Sequence, residues 1–430
     1  MYHSFLLVIV LLLSAGTVNA ASLQDSVSAS LDYHPALSAA INEQSAAQYQ
    51  IDEAKGGYRP QVSVELSSGR QWANNTTIRS FQDDSHDASI NKADFLLRQV
   101  IYDGGLTSGR IDSAGWGYDA AGYLVNERQQ DIIFSAIQSH LNVLRSEELL
   151  VLAQANLEAH KQYLDDIESR ARQGVITETD AHHARARYAF ADASLMQQEE
   201  QQLVSGQRYL EIVGVMAEDL DAVIRPDVMF ASLEEALDQT TNHPTVQQSA
   251  ATVEQASANY NQTKAAFRPR FDFEVRSTVQ DNSASSDLSP FNSESHETFA
   301  GVVMSYDLSR GGSDQARRNI TAAQQAAAGE LHKLAARDTR EAIRTTWYAR
   351  EKTAARVPLL QTYTSSLEQV LADYVDQFSV NRRDLLDLLD RQVETFRAQA
   401  DYVNARYDLM IQDYELLQAT GLLAGRFSNQ

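Results

Sequence analysis

The sequence predicts an α+β chain built as a tandem structural repeat, with two strands and two very long helices in each half. Three observations lead to this prediction. Motifs recur in the same order, apolar and polar residues alternate in two runs per half, and two long stretches almost lack helix-breaking residues. Each half is therefore expected to run as helix, strand, loop, strand, long helix, turn and long helix.

The repeat is visible in dipeptides and short motifs. His-Pro occurs at His34 and His243, and Arg-Pro at Arg59 and Arg268, with the same separation between the two copies. Looser matches follow between "VIYDGG" and "MSYDLSRGG", and between "RQGVITETDAHHARA" and "DQFSVNRRDLLDLLD". Matches held in register over such a length indicate that the chain contains one structural unit twice.

The chain begins with a predicted secretory signal peptide, residues 1–20. The apolar segment "FLLVIVLLL" is too short to span a bilayer, and Val18 and Ala20 are small residues at the positions before a cleavage site. An uncleaved membrane anchor is the alternative interpretation. The rest of the chain divides into a first repeat, residues 21–225, and a second repeat, residues 226–430.

Each repeat contains a predicted strand pair after its first helix. Alternation predicts strands at about 60–72 and 90–102, and again at about 268–280 and 297–308. Their apolar positions are Val62, Val64, Leu66, Ala93, Phe95, Leu97, Phe271, Phe273, Val275, Phe299, Gly301 and Val303. Such runs, joined by polar loops, are typical of membrane β-barrel strands, and an ordinary half-buried hairpin gives the same pattern.

Long helical segments follow the strand pairs, at about 103–213 and about 312–420, each interrupted by one turn. Pro358 is the main interruption of the second segment. A helix of about 65 residues would extend about 100 Å, which is far longer than a globular helix. Apolar residues at alternating spacings of three and four predict coiled-coil packing. The predicted seam residues are Leu150, Ala153, Leu157, His160, Leu164, Ile167, Leu386, Leu389, Val393, Phe396, Ala400, Val403, Tyr407, Met410, Tyr414 and Leu417.

Composition excludes several classes of protein. A formal net charge of -22 disfavours nucleic acid as a partner, because nucleic-acid binding needs clustered Lys and Arg. The absence of cysteine excludes disulfides, thiolate metal sites and a lipidated N-terminal cysteine. The sequence has no HExxH, P-loop, GxGxxG or GxSxG motif, and the adjacent His182 and His183 point to different faces of a helix. We therefore expect neither an enzyme nor a cofactor.

The secretion signal, the duplicated strand pairs and the long helices together resemble the TolC family of outer-membrane efflux ducts. The resemblance covers nearly the whole mature chain, and "RQGVITETDAHHARA" and "FSVNRRDLLDLLD" are similar to the two periplasmic helix-turn motifs of that family. It implies a homotrimer in the lipid of a Gram-negative outer membrane. Three chains would share a barrel of about twelve strands, continued by a coiled-coil α-helical barrel in the periplasm. Trimerisation would also pair strand edges that lipid cannot satisfy.

The resemblance assigns roles to residues in and beside the two turns. Asp387 and Asp390 match the aspartates of the family's channel constriction, and their i, i+3 spacing places them on one helix face. The implied gate latch comprises Arg383, Asp180, Thr179, Ser169 and Phe378, the last standing where relatives often carry Tyr. The implied adaptor-docking turns comprise Gly174, Val175, Ile176, Thr177, Ser379, Val380, Asn381 and Arg382, with Asn381 where the family often has Gly. A solvated helix face is the alternative interpretation of the acidic residues.

The implied function is a passive exit duct. Substrates would arrive from an inner-membrane ABC or other transporter through a periplasmic adaptor, a membrane fusion protein. The lack of a lipidated cysteine and the short C-terminus after Gly421 favour type I protein secretion over multidrug or other small-molecule efflux. A periplasmic coiled-coil adaptor or scaffold is a weaker alternative, because such a protein should not repeat a strand pair in both halves.

Overall fold

The structure is a computed structural model that describes residues 21–73, 86–226, 230–284, 293–380 and 382–427. The predicted signal peptide and Asn381 lie outside the described residues. The chain divides into two compact units. The first contains the described residues of Met1–Leu37, Arg128–Gln239 and Arg340–Gln430, and the second contains those of Ser38–Glu127 and Thr240–Thr339.

The described elements follow the same order in both predicted repeats, and the second repeat ends in one additional short helix. The first has α1 (Leu23–Tyr33), α2 (Pro35–Gly56), β1 (Gln61–Ala73), β2 (His86–Tyr102), α3 (Leu106–Arg172) and α4 (Glu178–Val213). The second has α5 (Leu233–Asp238), α6 (Pro244–Gln262), β3 (Arg270–Ala284), β4 (Ser293–Ser305), α7 (Ser313–Ser379), α8 (Leu385–Ala419) and α9 (Leu423–Phe427). Short 3-10 turns follow α5 and α6. In the part of the chain described, no helix is both long and apolar enough to cross a bilayer.

The second unit contains a four-stranded antiparallel sheet with the order β1-β2-β3-β4. The register places Val62 opposite Leu97, Leu97 opposite Val275, and Val275 opposite Ala300. Directly paired residues share a face of the sheet, so these four side chains form one apolar row across all strands. This face is exposed: Leu66 on β1 retains 76% of its accessible surface and Val302 on β4 retains 58%.

The opposite face of the sheet is polar and internally bonded. Glu274 accepts hydrogen bonds from Arg98 on β2 at 2.9 Å and from Arg276 on its own strand at 2.9 Å. Thr278 donates to Asp94 at 2.7 Å. Glu274 is buried although it carries a charge, which the two arginines balance. The sheet thus has an apolar exposed face and a charged, cross-linked face.

The apolar face of β4 differs from the one expected from the sequence. Phe299, Gly301 and Val303 were expected to share it with the apolar residues of β3, but the register pairs Gly301 with Glu274 on the polar face. Ala300, Val302 and Met304 occupy the apolar face instead. The segment "FAGVVM" is apolar at both alternating sets of positions, so its periodicity cannot select a face and the pairing register decides.

The strands are also longer than predicted at the loop ends. β2 begins at His86 rather than near residue 90, and β3 ends at Ala284 rather than near residue 280. Polar sequence at a strand end still pairs through its backbone, since ladder hydrogen bonds do not depend on side-chain polarity. Residues 74–85, between β1 and β2, and residues 285–292, between β3 and β4, lie outside the described residues.

The first unit is a bundle of helices around an apolar core. Its largest cluster joins residues of α1, α3, α4, α8 and α9, among them Val27, Ile137, Leu141, Tyr209, Tyr414, Leu417 and Leu423. Asp413 on α8 is fully buried and accepts hydrogen bonds from Arg225 at 2.8 Å and Arg350 on α7 at 2.6 Å. These two pairs tie the segment between the repeats to α7 and α8, and together they balance the buried carboxylate.

From Leu389 onward most predicted seam residues of α8 are buried, whereas Phe396 and Ala400 are only half-buried. At the start of the helix the pattern was wrong, because Leu386 is exposed whereas Leu385 and Leu388 are buried. Near its first turn, α8 packs against residues of both α3 and α4 through Leu385 and Leu389, so its buried face there is wider than one seam. Pro358 does not end α7, which continues from Ser313 to Ser379 around it.

Candidate gate and docking turns

The turn between α3 and α4 is fixed by backbone hydrogen bonds and a capping box. Gly174 has a φ of 73°, its N–H donates to Ala171 O, and the N–H of Val175 donates to Arg170 O. Thr177 caps α4: its hydroxyl accepts from the N–H of Asp180, whose carboxylate accepts from the N–H of Thr177 at 3.1 Å. The left-handed glycine closes one helix and the box opens the next.

The turn between α7 and α8 is held in a different way. Ser379 donates its hydroxyl to Asp376 O at 2.6 Å, and the N–H of Arg382 donates to Gln377 O at 2.8 Å. Asp384 caps α8 by accepting from the N–H of Leu386 at 3.2 Å. Val175 in the first turn and Val380 in the second both remain exposed. Each turn therefore presents one apolar side chain to a partner or to solvent.

One apolar cluster lies beneath both turns. Ile167, Ala181 and Ala184 come from α3 and α4, and Leu385 and Leu389 come from α8. Ile176 of the first turn and Phe378 of α7 pack against this cluster. The predicted docking turns of the two repeats are thus joined through one small core, so a movement of one turn disturbs the packing of the other.

Arg383 is held by three groups of its own repeat. Its guanidinium donates to Asp387 Oδ2 at 3.2 Å and, through Nε and Nη2, to Gln377 Oε1 at 3.2 and 3.0 Å. Its Cζ lies 4.1 Å from the ring centroid of Tyr374, which is a cation–π contact. The side chain is partly buried, so these contacts are stronger than those of a free surface arginine.

Asp390 makes the ion pair that connects the two repeats at this site. Its Oδ1 lies 2.5 Å from Nη2 of Arg187 on α4. The Asp390 side chain is 64% exposed, and a pair this exposed contributes about 0.2–1 kcal/mol. Asp387 and Asp390 both face away from the buried Leu388 and Leu389. They can therefore contribute charge to a solvent-filled space beside α8.

A buried polar group, the imidazole of His160, lies near Arg187 of this ion pair. His160 on α3 is 2% exposed, its Nδ1 has no hydrogen-bond partner, and its ring meets Tyr163 edge-on at 6.3 Å between centroids. Burial, together with the nearby positive charge of Arg187, lowers the pKa of His160 to about 4. Gln392 on α8 donates to Asn156 Oδ1 at 3.2 Å and lies 3.5 Å from Tyr163 Oη. His160 is thus a neutral seam residue, as its heptad position indicates.

The remaining members of the predicted latch have local contacts. Asp180 belongs to the capping box with Thr177, Thr179 is exposed, and Ser169 accepts from Gln173 on the next helical turn at 3.3 Å. Phe378 lies 5.0 Å from the guanidinium carbon of Arg170. The described structure thus brings Arg383 to Asp387, Gln377 and Tyr374, and the pairing of Arg383 with Asp180 stays a prediction for the assembled protein.

Three residues of this site were not identified from the sequence: Tyr374, Gln377 and Arg187. Tyr374 lies one helical turn before Phe378, and two arginines contact its ring. The guanidinium carbon of Arg383 lies 4.1 Å and that of Arg391 lies 5.5 Å from the ring centroid. The spacing of four residues between Tyr374 and Phe378 was the available signal. Arg187 could not have been found this way, because only tertiary packing brings α4 beside α8.

Comparison with known families decides the identity of the fold. The family described as "Outer membrane efflux protein" matches residues 27–215 and, a second time, residues 236–422. This chain belongs to that family. The resemblance to TolC-family ducts is confirmed, and the protein is an outer-membrane channel rather than an enzyme, extending from the outer membrane into the periplasm. Channels of this family work with periplasmic adaptors and inner-membrane transporters in tripartite systems.

Relatives in this family are named for different kinds of export. Outer membrane efflux protein BepC of Brucella suis biovar 1 (strain 1330) is 23% identical over 86% of this chain and 78% of BepC. Outer membrane protein TolC of Escherichia coli (strain K12) is 21% identical over 91% of this chain and 80% of TolC. Proteases secretion protein PrtF of Dickeya chrysanthemi is 23% identical over 96% of this chain and 89% of PrtF.

Solved structures share the fold of these family members. The Campylobacter jejuni CmeC outer membrane channel superposes with a TM-score of 0.81, at 14% identity, over 93% of this chain and 86% of CmeC. CusC superposes with a TM-score of 0.78, at 16% identity, over 93% of this chain and 91% of CusC.

Among the described residues of this chain, no cluster of three or more His, Asp or Glu could hold a metal ion.

Proposed function

We propose that this family member is a homotrimeric exit duct of a tripartite export system. Each chain contributes four strands to a shared barrel of about twelve in the outer-membrane lipid, and its long helices form an α-helical barrel in the periplasm. A periplasmic adaptor docks on the two turns, and an inner-membrane transporter delivers the cargo. The two structural repeats are bounded at residues 21–225 and 226–430, after a signal peptide of residues 1–20.

The observation that supports this proposal most strongly is the sheet. Its apolar face is exposed, its polar face is internally bonded, and β1 and β4 are the edge strands of the described sheet. Lipid tolerates an apolar face but not an unpaired strand edge, because a bare N–H or C=O there costs several kcal/mol, on the order of a lost hydrogen bond. Pairing β1 of one chain with β4 of the next removes both edges at once.

The proposed gate consists of the predicted constriction and latch residues. Rings of Asp387 and Asp390 from three chains would face the lumen and attract cations. Arg383, with Tyr374 and Gln377, would hold the start of α8 in the closed arrangement, and Asp180, Thr179, Ser169 and Phe378 would lie across from it. The docking turns would be Gly174 to Thr177 and Ser379 to Arg382.

The mass of the purified protein tests the assembly. In mild detergent the mature protein should have about three times the mass of one chain, because only a closed ring satisfies every strand edge. The measurement is multi-angle light scattering with correction for bound detergent. A folded monomer that forms channels in a bilayer would contradict the trimer.

Protein cargo is the first candidate for this duct. PrtF and alkaline protease secretion protein AprF of Pseudomonas aeruginosa are named for protease secretion, and AprF is 21% identical over 91% of this chain. BepC, named for efflux, favours small molecules as the second candidate. Deleting the gene that encodes this chain should remove a secreted protein from the medium and leave drug susceptibility unchanged. Drug hypersensitivity with a normal secreted fraction would instead favour efflux.

A further inference from the structure

A cavity lies in the second unit where the strands pass into helices. Its volume is about 440 Å³, within the range of about 300–1,000 Å³ that is typical of small-molecule sites. The walls come from the start of α3, the end of α6, the start of β3, the end of β4 and the first turns of α7. Neither the gate nor the docking turns contribute to it.

The lining of this cavity is rich in arginine. Five arginines and three aspartates line it, which leaves an excess of positive charge in a chain that is strongly acidic. The arginines are Arg110, Arg268, Arg270, Arg310 and Arg317. Guanidinium groups are the side chains best suited to bind phosphate, because they offer planar paired donors and a permanent charge.

Three of the five arginines already have protein partners. Arg310 pairs with Asp307, Arg270 with Asp272 at 2.7 Å, and Arg268 donates to Gly104 O at 3.0 Å. Arg110 and Arg317 differ from them, because the guanidinium group of neither has a hydrogen bond or ion pair with any described residue. Two guanidinium groups on separate helices therefore line one cavity with their donors unused.

The aspartates of the cavity do not compete for these two arginines. Asp103 is buried and accepts the N–H groups of Gly105, Leu106 and Thr107 at the start of α3. Asp307 is its counterpart in the second repeat, but three additional residues separate it from α7 and it pairs with Arg310 instead. Asp314, the third aspartate, also pairs with Arg310, at 3.7 Å. With the additional residues "LSR", Asp307 pairs with Arg310 and accepts no N–H group from the described residues at the start of α7.

Exposed aromatic side chains lie at the same end of the strands as the cavity. Tyr58, Tyr102, Phe267 and Tyr306 are all exposed, and all lie at the edge of the sheet where the strands meet the helices. Tyr306 also lines the cavity. Exposed aromatic rings in membrane proteins gather at the boundary between hydrocarbon and water. Phospholipid phosphates lie at that same boundary.

We propose that this cavity binds a phosphate group, with Arg110 and Arg317 as its donors, and that a phospholipid of the membrane supplies the phosphate. The choice of source rests on the proposed function, in which the strands cross the outer membrane. The acyl chains would then lie along the exposed apolar face next to β4. Free phosphate would use the same two arginines without any contact to that face.

Native mass spectrometry of the detergent-purified full assembly tests the proposal. The probes are phosphatidylglycerol, diacylglycerol with the same acyl chains, and inorganic phosphate. The wild type should bind phosphatidylglycerol and should not bind diacylglycerol. The double variant Arg110→Gln, Arg317→Gln should bind phosphatidylglycerol about tenfold more weakly or worse, because both free donors of charge-assisted bonds are lost.

A matched control comes from the same helix as Arg317. Arg337 and Arg340 on α7 are exposed and lie outside the cavity, so Arg337→Gln with Arg340→Gln removes the same two charges per chain and should change affinity by less than about twofold. Equal binding by the wild type and the double variant would overturn the site. Equal affinities for inorganic phosphate and phosphatidylglycerol would overturn the lipid as the source. The same spectra report the assembly mass, so a failed trimer is recognised separately from a trimer without a lipid site.

Discussion

At the residue scale, the acidic pair on α8 is divided between two different contacts. Asp387 belongs to the local group around Arg383, whereas Asp390 reaches across to Arg187. The i, i+3 spacing correctly placed both carboxylates on an exposed face. Which arginine each one meets depends on how α4 and α7 pack around α8.

Charge at the proposed constriction can be tested by conductance. Asp387→Ala with Asp390→Ala should reduce cation over anion selectivity, because it removes two carboxylates from each chain at the proposed constriction. Reversal potentials across a planar bilayer with a salt gradient measure this. Selectivity that survives both substitutions would show that the face is merely solvated.

Arg383→Ser provides the contrasting variant for the same measurement. It leaves both aspartates in place but removes the contacts to Gln377 and Tyr374. We expect higher conductance with little change in selectivity, since the start of α8 is released while the charged rings remain. Conductance equal to that of the wild type would contradict a latch at Arg383.

The buried His160 predicts a loss of local stability in acid. Its pKa is 6.5 when exposed and about 4 in the fold, so the folded state favours the neutral ring. The neutral ring therefore contributes about 3 kcal/mol to the free energy of unfolding relative to the protonated ring. This contribution is complete above pH 6.5 and is lost as the pH falls through 4. Hydrogen exchange in α3 and α4 near the tip should accelerate in acid relative to His160→Leu measured at the same pH. Equal acceleration in both proteins would assign the effect to other groups.

At the element scale, the two turns are built from different local signals. Gly174, Thr177 and Asp180 form a helix stop and a capping box that can be recognised in the sequence. The second turn lacks a glycine and depends on bonds from Arg382 and Ser379 to the end of α7. Both turns end above one shared apolar cluster.

Docking on the first turn can be tested at Gly174. A Cβ there meets no atom within 4 Å, so space is available, and its φ of 73° suits Asn and Asp better than other side chains. Gly174→Asp should abolish export, because it places a charge on the predicted adaptor contact. Gly174→Asn has the same shape without the charge and should retain most export. Outer-membrane fractionation must show equal amounts of both proteins, and normal export with Gly174→Asp would place docking elsewhere.

At the scale of the whole molecule, the proposed barrel requires β1 of one chain to pair with β4 of the next. The natural chain has no cysteine, so engineered pairs can form disulfides without background. Single cysteines at Val62, Val64 or Leu66, each combined with Val302→Cys, should give covalent trimers at one or two of these positions. Oxidation followed by denaturing electrophoresis without reductant detects them. Only monomeric bands throughout the series would contradict this strand pairing.

The sequence by itself determined the duplication, the long helices, the strand pairs and the family. Those features depend on local periodicity and on motifs such as His-Pro and Arg-Pro, which are legible without tertiary contacts. It also determined that Asp387 and Asp390 share an exposed face. Tertiary structure decided the apolar face of β4, because "FAGVVM" is apolar in both registers. It likewise decided that Arg187 meets Asp390 and that Arg110 and Arg317 line one cavity. These residues are distant in sequence, and only the packing of separate elements brings their charges together.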